Sequence, residues 1–446
     1  AIRCKPTFCE GALKEYAAPR RLLANSCVRG LCLSQFTALV GTFALYFASM
    51  ALVEEITHSS TQVGLMIFSS TLPGFIFGLI AGPYVDRHDR IAVIKLGCIL
   101  RVPIGIGFAL AMYFAPHTSS LLWVVYICNF LLSALAQFVI SAEASAIPRY
   151  VTSEQLMGAN SLFNLSSVVS QGVGVILIAP ILLKLGGAWL VGVVSTVLYV
   201  LSWLAIVGLP RGGSEFDPTK PTVKNGFVSA LADLRQGWAY IASDRFVWLA
   251  VIQMVLAATS VLAVSTLAPG FANRILGKHV ADVAYAALPA GLGFVGGLMF
   301  ISSRHGLRMS RQAWSALGLT LFGAGLLGFS LLTMLKGLHL LGLAVAVAVA
   351  GFGFALTMIP ARTILQERPA PYMRGRVIST QIVLANAAST LPMPATGGLA
   401  DIWGIQQVLI TIAVIVLAMA GLSVYMVRTE RAKAVAAASP KVEEVS

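Results

Sequence analysis

Apolar runs of about 20 residues follow one another along almost the whole chain, from near Val28 to near Tyr425. A run of that length crosses a hydrocarbon core about 30 Å thick, and in lipid its backbone must satisfy its own hydrogen bonds. Each run is therefore expected to be a helix. The strand-period alternation of a membrane barrel does not appear. Charged residues make up only 11% of the 446 and hydrophobic ones 57%, whereas soluble domains carry about 25% charge. That balance argues against a globular cytoplasmic enzyme.

The hydrophobic pattern predicts twelve spans: 30–52, 62–82, 91–114, 120–143, 158–183 and 188–209, then 246–268, 282–302, 312–334, 339–359, 376–398 and 405–427. The expected organisation is a tail (1–29), a first six-helix bundle (30–209), a linker (210–245), a second bundle (246–428) and a C-terminal tail (429–446). Within the linker, Pro210 to Lys224 is rich in Pro, Gly, Lys and acids. Asn225 then offers a cap for a helix with Phe227, Leu231, Leu234, Trp238 and Ile241 on one face, at spacings of four and three. An amphipathic helix of this kind is expected to lie along the membrane surface.

The net charge of +13 suggests nucleic acid only until its distribution is followed. Of the 31 Lys and Arg, Arg101 falls inside a span, and Lys184, Arg274, Lys278 and Lys336 fall in loops of one side. All the others fall on the opposite side, which by the positive-inside rule is cytoplasmic and holds both termini. The chain reads as a multi-pass cell-membrane protein, with the bilayer and not nucleic acid as its large partner. The six cysteines include two C-x4-C pairs, Cys4/Cys9 and Cys27/Cys32, with no histidine between them. Zinc sites use tighter spacing, so reduced thiols and no metal are expected. The first apolar run lacks a small-residue cleavage site and is long enough to remain as an anchor.

Between the second and third spans stands GPYVDRHDR, Gly82 to Arg90, a dense charge cluster joining two bilayer-length segments. It resembles the loop G-x-x-x-D-R-x-G-R-[RK] of the major facilitator superfamily. Gly82, Asp86, Arg87 and Arg90 match, while Asp89 replaces a glycine and Ile91 a basic residue. EEITHSSTQVGLMIFSSTLPGFIFGLIAGPYVDR is similar to a branch containing macrolide-efflux-like, siderophore and lysophospholipid transporters, with Gly64, Leu72, Pro73 and Gly82 in its pattern positions. AEASAIPRYVTSEQLMGANSL and APGFANRILGKHVADVAYAALPAGLGFVGGLMF resemble the same branch. Gly291, Gly293, Gly296 and Gly297 of the latter allow close helix packing. GLMFISSRHGLRMSR and PARTILQERPAPYMRGR recur roughly 220 residues after their first-half counterparts, as a duplicated six-helix bundle would leave them. The resemblance implies an all-α membrane protein of twelve transmembrane helices in two six-helix bundles. It also implies that Asp86, with Arg87 and Arg90, latches the bundles near the N-terminus of span 11, around Gly375, in the outward-facing state.

No G-x-x-x-x-G-K-[ST] loop and no hydrolase or metal constellation occurs. No enzyme activity and no cofactor are expected. Arg101 lies about ten residues inside span 3, roughly 15 Å deep, where a guanidinium needs a partner; it reads as a structural ion pair or hydrogen-bonded group, with substrate contact as the alternative. Glu143 is the nearest candidate partner, and it reads either as a structural residue near the inner loop or as the proton-coupling acid. Glu54, Glu55 and Asp282 are the other acids near a cavity, and Glu54 and Glu55 are expected to behave as surface groups. Gln35, Asn129, Gln137, Asn164, Gln171, Gln253, Gln381 and Asn386 place amides in spans 1, 4, 5, 7 and 11. Singly each reads as a packing hydrogen bond; together they outline a mostly apolar cavity with scattered amides. Span 5 keeps only QGVGVILIAP, with Gly172, Gly174 and Pro180, of the family's antiporter motif.

The reading is secondary transport: proton-coupled efflux of a hydrophobic or amphiphilic small molecule, drug- or macrolide-like, by a monomer working by alternating access. A lysophospholipid or siderophore carrier is the alternative within transport, and a transport-inactive assembly factor or sensor is the alternative outside it. Reporter fusions after Arg21 and after Arg431 should be active only for reporters that mature in the cytoplasm. A periplasmic signal from either fusion would overturn the span count.

Overall fold

The computed structural model describes residues 25–114, 120–152, 155–209, 223–275, 277, 279, 282–302, 310–334, 340–370 and 372–438. The Cys4/Cys9 pair, the stretch 210–222, Lys278, the loop around Arg304, Lys336 and the outer parts of both tails lie outside them. No strand occurs among the described residues. The chain forms two compact units. One contains the described residues up to His58 and Leu65–Ser229; the other contains Ser59–Gly64 and Ala230 onward.

In the first unit α1 (Ser26–Thr57) is followed by α2 (Ser60–Val85, whose first residues, to Gly64, belong to the second unit), α3 (Arg90–Phe114) and α4 (Leu121–Ala146). Next, α5 (Leu156–Gly172) continues through a π-helical turn, Val173–Ile178, into α6 (Ala179–Gly186), and α7 is Ala188–Val207. Helix ends carry unpaired backbone groups, and side chains meet them here. Asn25 accepts from the Cys27 amide at 3.0 Å and donates to the Tyr150 carbonyl at 2.9 Å. Lys95 donates to the Val207 and Leu209 carbonyls at 2.9 and 2.8 Å, closing the end of α7. Asp89 accepts from the Ile91 and Ala92 amides at 2.9 and 3.3 Å, capping α3. The residue that departs from the family's glycine is thus an N-cap, a role worth about 0.5–2 kcal/mol.

Two expectations at the ends of spans are corrected. α1 runs past Leu52 to Thr57 and stops at His58, which takes the left-handed conformation (φ 46°). Glu54 is consequently inside the helix and fully buried, not at a solvated mouth, although Glu55 is exposed. Asn225 lies inside the linker helix α8 (Val223–Ser243) and does not precede it. Ile241 of the predicted stripe is buried, but Trp238 is half exposed and Gly237 takes its place inside.

The second unit holds α8 from Ala230 on, α9 (Arg245–Gly270, ending in a π-turn, Phe271–Ile275), α10 (Val283–Ser302), α11 (Arg311–Leu332) and α12 (Leu340–Glu367). Span 11 is two helices, α13 (Arg374–Thr390) and α14 (Met393–Trp403), and α15 is Ile405–Ala438. Pro392, which has no amide hydrogen, sits at the break. The pairings repeat between units: α1 with α5 and α9 with α13, α3 with α7 and α11 with α15, α3 with α4 and α11 with α12. Among the described residues ten helices are long and apolar enough to cross a membrane, and the shorter apolar stretch Ala287–Ile301 lies within α10.

Helices in lipid gain little from the hydrophobic effect between them, so close backbone approach carries the packing. A Cβ at Gly293 would overlap the Ala348 carbonyl oxygen, and one at Gly351 would overlap that of Ala290. The α10–α12 crossing is therefore closed from both sides by missing side chains. Gly291, two residues away, has nothing within 4 Å of such a Cβ. Gly293→Leu should lose about 1–3 kcal/mol and lower the thermal unfolding midpoint in detergent, while Gly291→Leu should leave it in place. Equal midpoints for the two variants would remove the glycine crossing as a source of stability.

Candidate functional site: a polar cavity in the first unit

A cavity of about 170 Å³ lies among four helices of the first unit. Ser34, Gln35, Ala38 and Leu39 face it from α1, Cys98 and Arg101 from α3, Ala136, Val139, Ile140 and Glu143 from α4, and Phe163, Asn164 and Ser167 from α5. The sequence alone leaves Arg101 and Glu143 at uncertain relative depth; the fold brings both to this cavity, 2% and 5% exposed. Glu143 lies within electrostatic reach of Arg101. The ion pairs Arg274–Asp401, Arg311–Glu367, Arg368–Asp244 and Arg376–Asp233 do not include either of them. Arg101 Nε and Gln35 Oε1 are buried and find no hydrogen-bond partner among the described residues.

Behind the cavity the polar groups are satisfied. Ser34 and Ser202 hydroxyls meet at 2.9 Å, and Ser202 also donates to the Ser34 carbonyl at 2.9 Å and approaches Cys98 Sγ at 3.3 Å. The other amides behave differently from Gln35. Asn129 donates to Ser49 Oγ at 2.8 Å and the Val125 carbonyl at 2.9 Å, tying α4 to α1. Gln137 rests near Gly74, where an added Cβ would stand 3.5 Å from its Nε2. Gln253 is 2% exposed, donating to Ser423 Oγ at 2.9 Å and accepting from Ser315 Oγ at 2.6 Å. On α13, Gln381 is buried and Asn386 exposed; on α5, Asn164 and Gln171 are exposed. Gly174, in the π-turn, packs on α1, where a Cβ would stand 2.7 Å from the Val40 carbonyl oxygen. In the loop after α2, Asp86 is exposed and Gly82, Arg87 and Arg90 are half-buried.

One polar cluster went unnoticed in the sequence. Within the second unit, Asp401 at the end of α14 caps the first turn of α2. It accepts from the Ser60 and Thr61 amides at 2.8 and 2.9 Å and from the Ser59 and Thr61 hydroxyls at 2.7 Å each. Arg274 pairs with it at 3.1 Å and donates to Ser60 Oγ at 2.7 Å. The helices meet at glycines: a Cβ at Gly397 would overlap the Ser60 carbonyl oxygen, and one at Gly64 would stand 2.5 Å from that of Met393. Burial alone pushes the Asp401 carboxyl up, but the four hydrogen bonds outweigh it and hold the carboxyl well below the usual carboxylate range. The available signal was three consecutive hydroxyl residues, Ser59 to Thr61, before a span and an acid just after another.

Two bundles of repeated helix pairings, each rich in bilayer-length helices, define a multi-span membrane protein. The family model of the Major Facilitator Superfamily matches residues 31–391, and the chain belongs to that superfamily. It is 28% identical over 368 residues to the enterobactin exporter EntS of Escherichia coli O1:K1, covering 80% of this chain and 81% of that protein. The enterobactin exporter of Shigella boydii serotype 18 is likewise 28% identical over 367 residues, with the same shares covered. A bacterial homologue of the iron transporter ferroportin, solved in an inward-facing state, superposes with a TM-score of 0.67 at 16% identity over 89% of this chain and 98% of that one. That last likeness concerns the fold alone.

Asp401 also permits a check with a definite sign. A carboxyl whose pKa is depressed on folding stabilises the fold at pH above its unfolded value, about 3.9, and loses that contribution as pH falls through the folded value. Asp401→Ala should therefore cost about 0.5–2 kcal/mol evenly between pH 5 and 8, with the gap from wild type narrowing only in strong acid. Thermal unfolding of both proteins across pH measures it. A gap that already closes between pH 7 and 5 would contradict the capping geometry.

Proposed function

We propose that this chain exports an amphiphilic small molecule of the siderophore class across the bacterial inner membrane, driven by protons entering in exchange. The observation that carries the reading is the cavity in which the buried carboxylate of Glu143 and the buried guanidinium of Arg101 share one wall system with amides and hydroxyls. A proton-coupled carrier needs an acid whose protonation responds to desolvation and neighbouring charge, and Glu143 meets that need on a cavity-lining helix. The resemblance to enterobactin exporters over 80% of the chain supports outward transport and a siderophore-like cargo. It favours the siderophore alternative over a macrolide-like drug.

In this reading both termini are cytoplasmic and the chain works as a monomer. Asp86, Arg87 and Arg90, in the loop that opens after Gly82, bias the alternation of the two bundles from the cytoplasmic side. Asn164 and Gln35 belong to the substrate cavity directly. Asn129 supports it by tying α4 to α1.

Glu143→Gln should abolish gradient-driven efflux from loaded vesicles while leaving substrate exchange without a gradient intact. Undiminished gradient-driven efflux by that variant would remove Glu143 as the coupling acid and turn attention to the buried Glu54.

A further inference from the structure

Resting on the reading of that cavity as the transport site, we infer that it seats a compact uncharged head with one hydrogen-bond acceptor beside one donor, a carboxamide type of group, between Arg101 and Gln35. Three observations lead there.

The first is complementarity without contact. Arg101 Nε can only donate and Gln35 Oε1 can only accept. Both residues line one cavity and both atoms are buried without a partner among the described residues, so they do not bond to each other. Whatever joins them must accept from one and donate to the other. Buried polar atoms left unmade are costly, and Arg101 is 2% exposed, so the fold holds this pair open against a cost.

The second is charge. The titratable groups facing the cavity or its polar backing are Arg101 and Cys98 from α3, Glu143 from α4, Cys32 from α1, which feels Glu143, and Tyr199 from α7, which feels Arg101. The lining residues of α5 do not titrate. With Glu143 ionised, its charge offsets that of Arg101 and a neutral head fits. An anionic head would require Glu143 to be protonated at the same time. Proton and cargo would then travel together, and an inward proton gradient could not drive export.

The third is shape. Ala38, Leu39, Val139 and Phe163 supply apolar wall beside the polar atoms, so a flat ring or short chain carrying the head is accommodated with it.

The test uses three probes of similar shape, benzamide, benzoate and ethylbenzene, titrated into the full chain in nanodiscs at pH 7.5. Benzamide should bind, and benzoate and ethylbenzene should each bind about tenfold more weakly or worse, the scale of one buried hydrogen bond lost. Gln35→Leu removes the acceptor and Arg101→Lys removes the Nε donor while keeping the charge; each should weaken benzamide by about tenfold. Thermal unfolding checks that each variant folds, and Gln35→Leu decides alone if Arg101→Lys does not.

Benzoate binding as tightly as benzamide would overturn the neutral head. Benzamide affinity unchanged in the folded variants would overturn the assignment to these two residues. Absence of benzamide binding would make water the occupant and overturn the proposal. None of these results needs a gradient. A failure here therefore leaves the Glu143 efflux experiment standing, and the reverse also holds.

Discussion

A helix in lipid has no water to fall back on, so each polar group inside the bundles must be answered by another part of the protein. Most of the internal structure is an answer to that demand. Gln253 sits between Ser315 and Ser423, and Ser315 in turn reaches the Thr357 carbonyl at 3.2 Å. One amide thereby ties α9 to α11 and α15. Asn129 does the same for α4 and α1, and Ser34 with Ser202 for α1 and α7. Where the backbones themselves close in, as at Gly293 and Gly351, carbonyl and Cα groups touch and no side chain is needed. Against this background two unanswered atoms in one cavity are informative. The rest of the fold shows that the sequence pairs its polar groups when pairing is the purpose.

The spans were legible because hydrophobic length is a one-dimensional property: among the described residues ten helices recover it from length and composition alone. Their ends were less so. Glu54-Glu55 reads as the end of a span because both acids look solvated in sequence. Three-dimensional packing buries one and exposes its neighbour, since adjacent helical positions face about 100° apart. The break at Pro392 was equally invisible to hydropathy, because an apolar run interrupted by one turn stays apolar. Asp89 looked like a defect in a family loop and is a helix cap. In each case the missing information was which groups meet, which spacing within one segment does not contain.

The same limit separates the amides. Gln35, Asn129, Gln137 and Gln253 are equivalent in sequence, each a single polar residue in an apolar span. The fold gives Asn129 and Gln253 closed hydrogen-bond partners and leaves Gln35 Oε1 without one. Composition was enough to suggest a cavity; only geometry distinguishes the residues that build it from those that face into it. Arg101 and Glu143 follow the same logic. Their depth along α3 and α4 could be counted, but whether they share a chamber depends on how those helices are staggered.

The linker helix α8 shows how a surface pattern can hide a structural attachment. Its amphipathic stripe reads as a helix resting on the membrane surface, yet the described contacts of its second half are with α13 and the end of α12. Gly237 packs against Arg376 and Thr380, where a Cβ would stand 2.6 Å from the Arg376 carbonyl oxygen. Arg376 donates to Asp233 and Gln236 at 2.8 Å each, and Tyr240 donates to the Arg368 carbonyl at 3.3 Å. Arg368 then pairs with Asp244, the N-cap of α9, and lies over the Phe246 ring at 4.2 Å. Any one of these half-exposed pairs is worth little in isolation. Together with the glycine contact they fix the second half of α8 to the ends of three helices of its own unit. The attachment rests on which side chains of α8 meet α12 and α13, and spacing within the linker alone does not contain that.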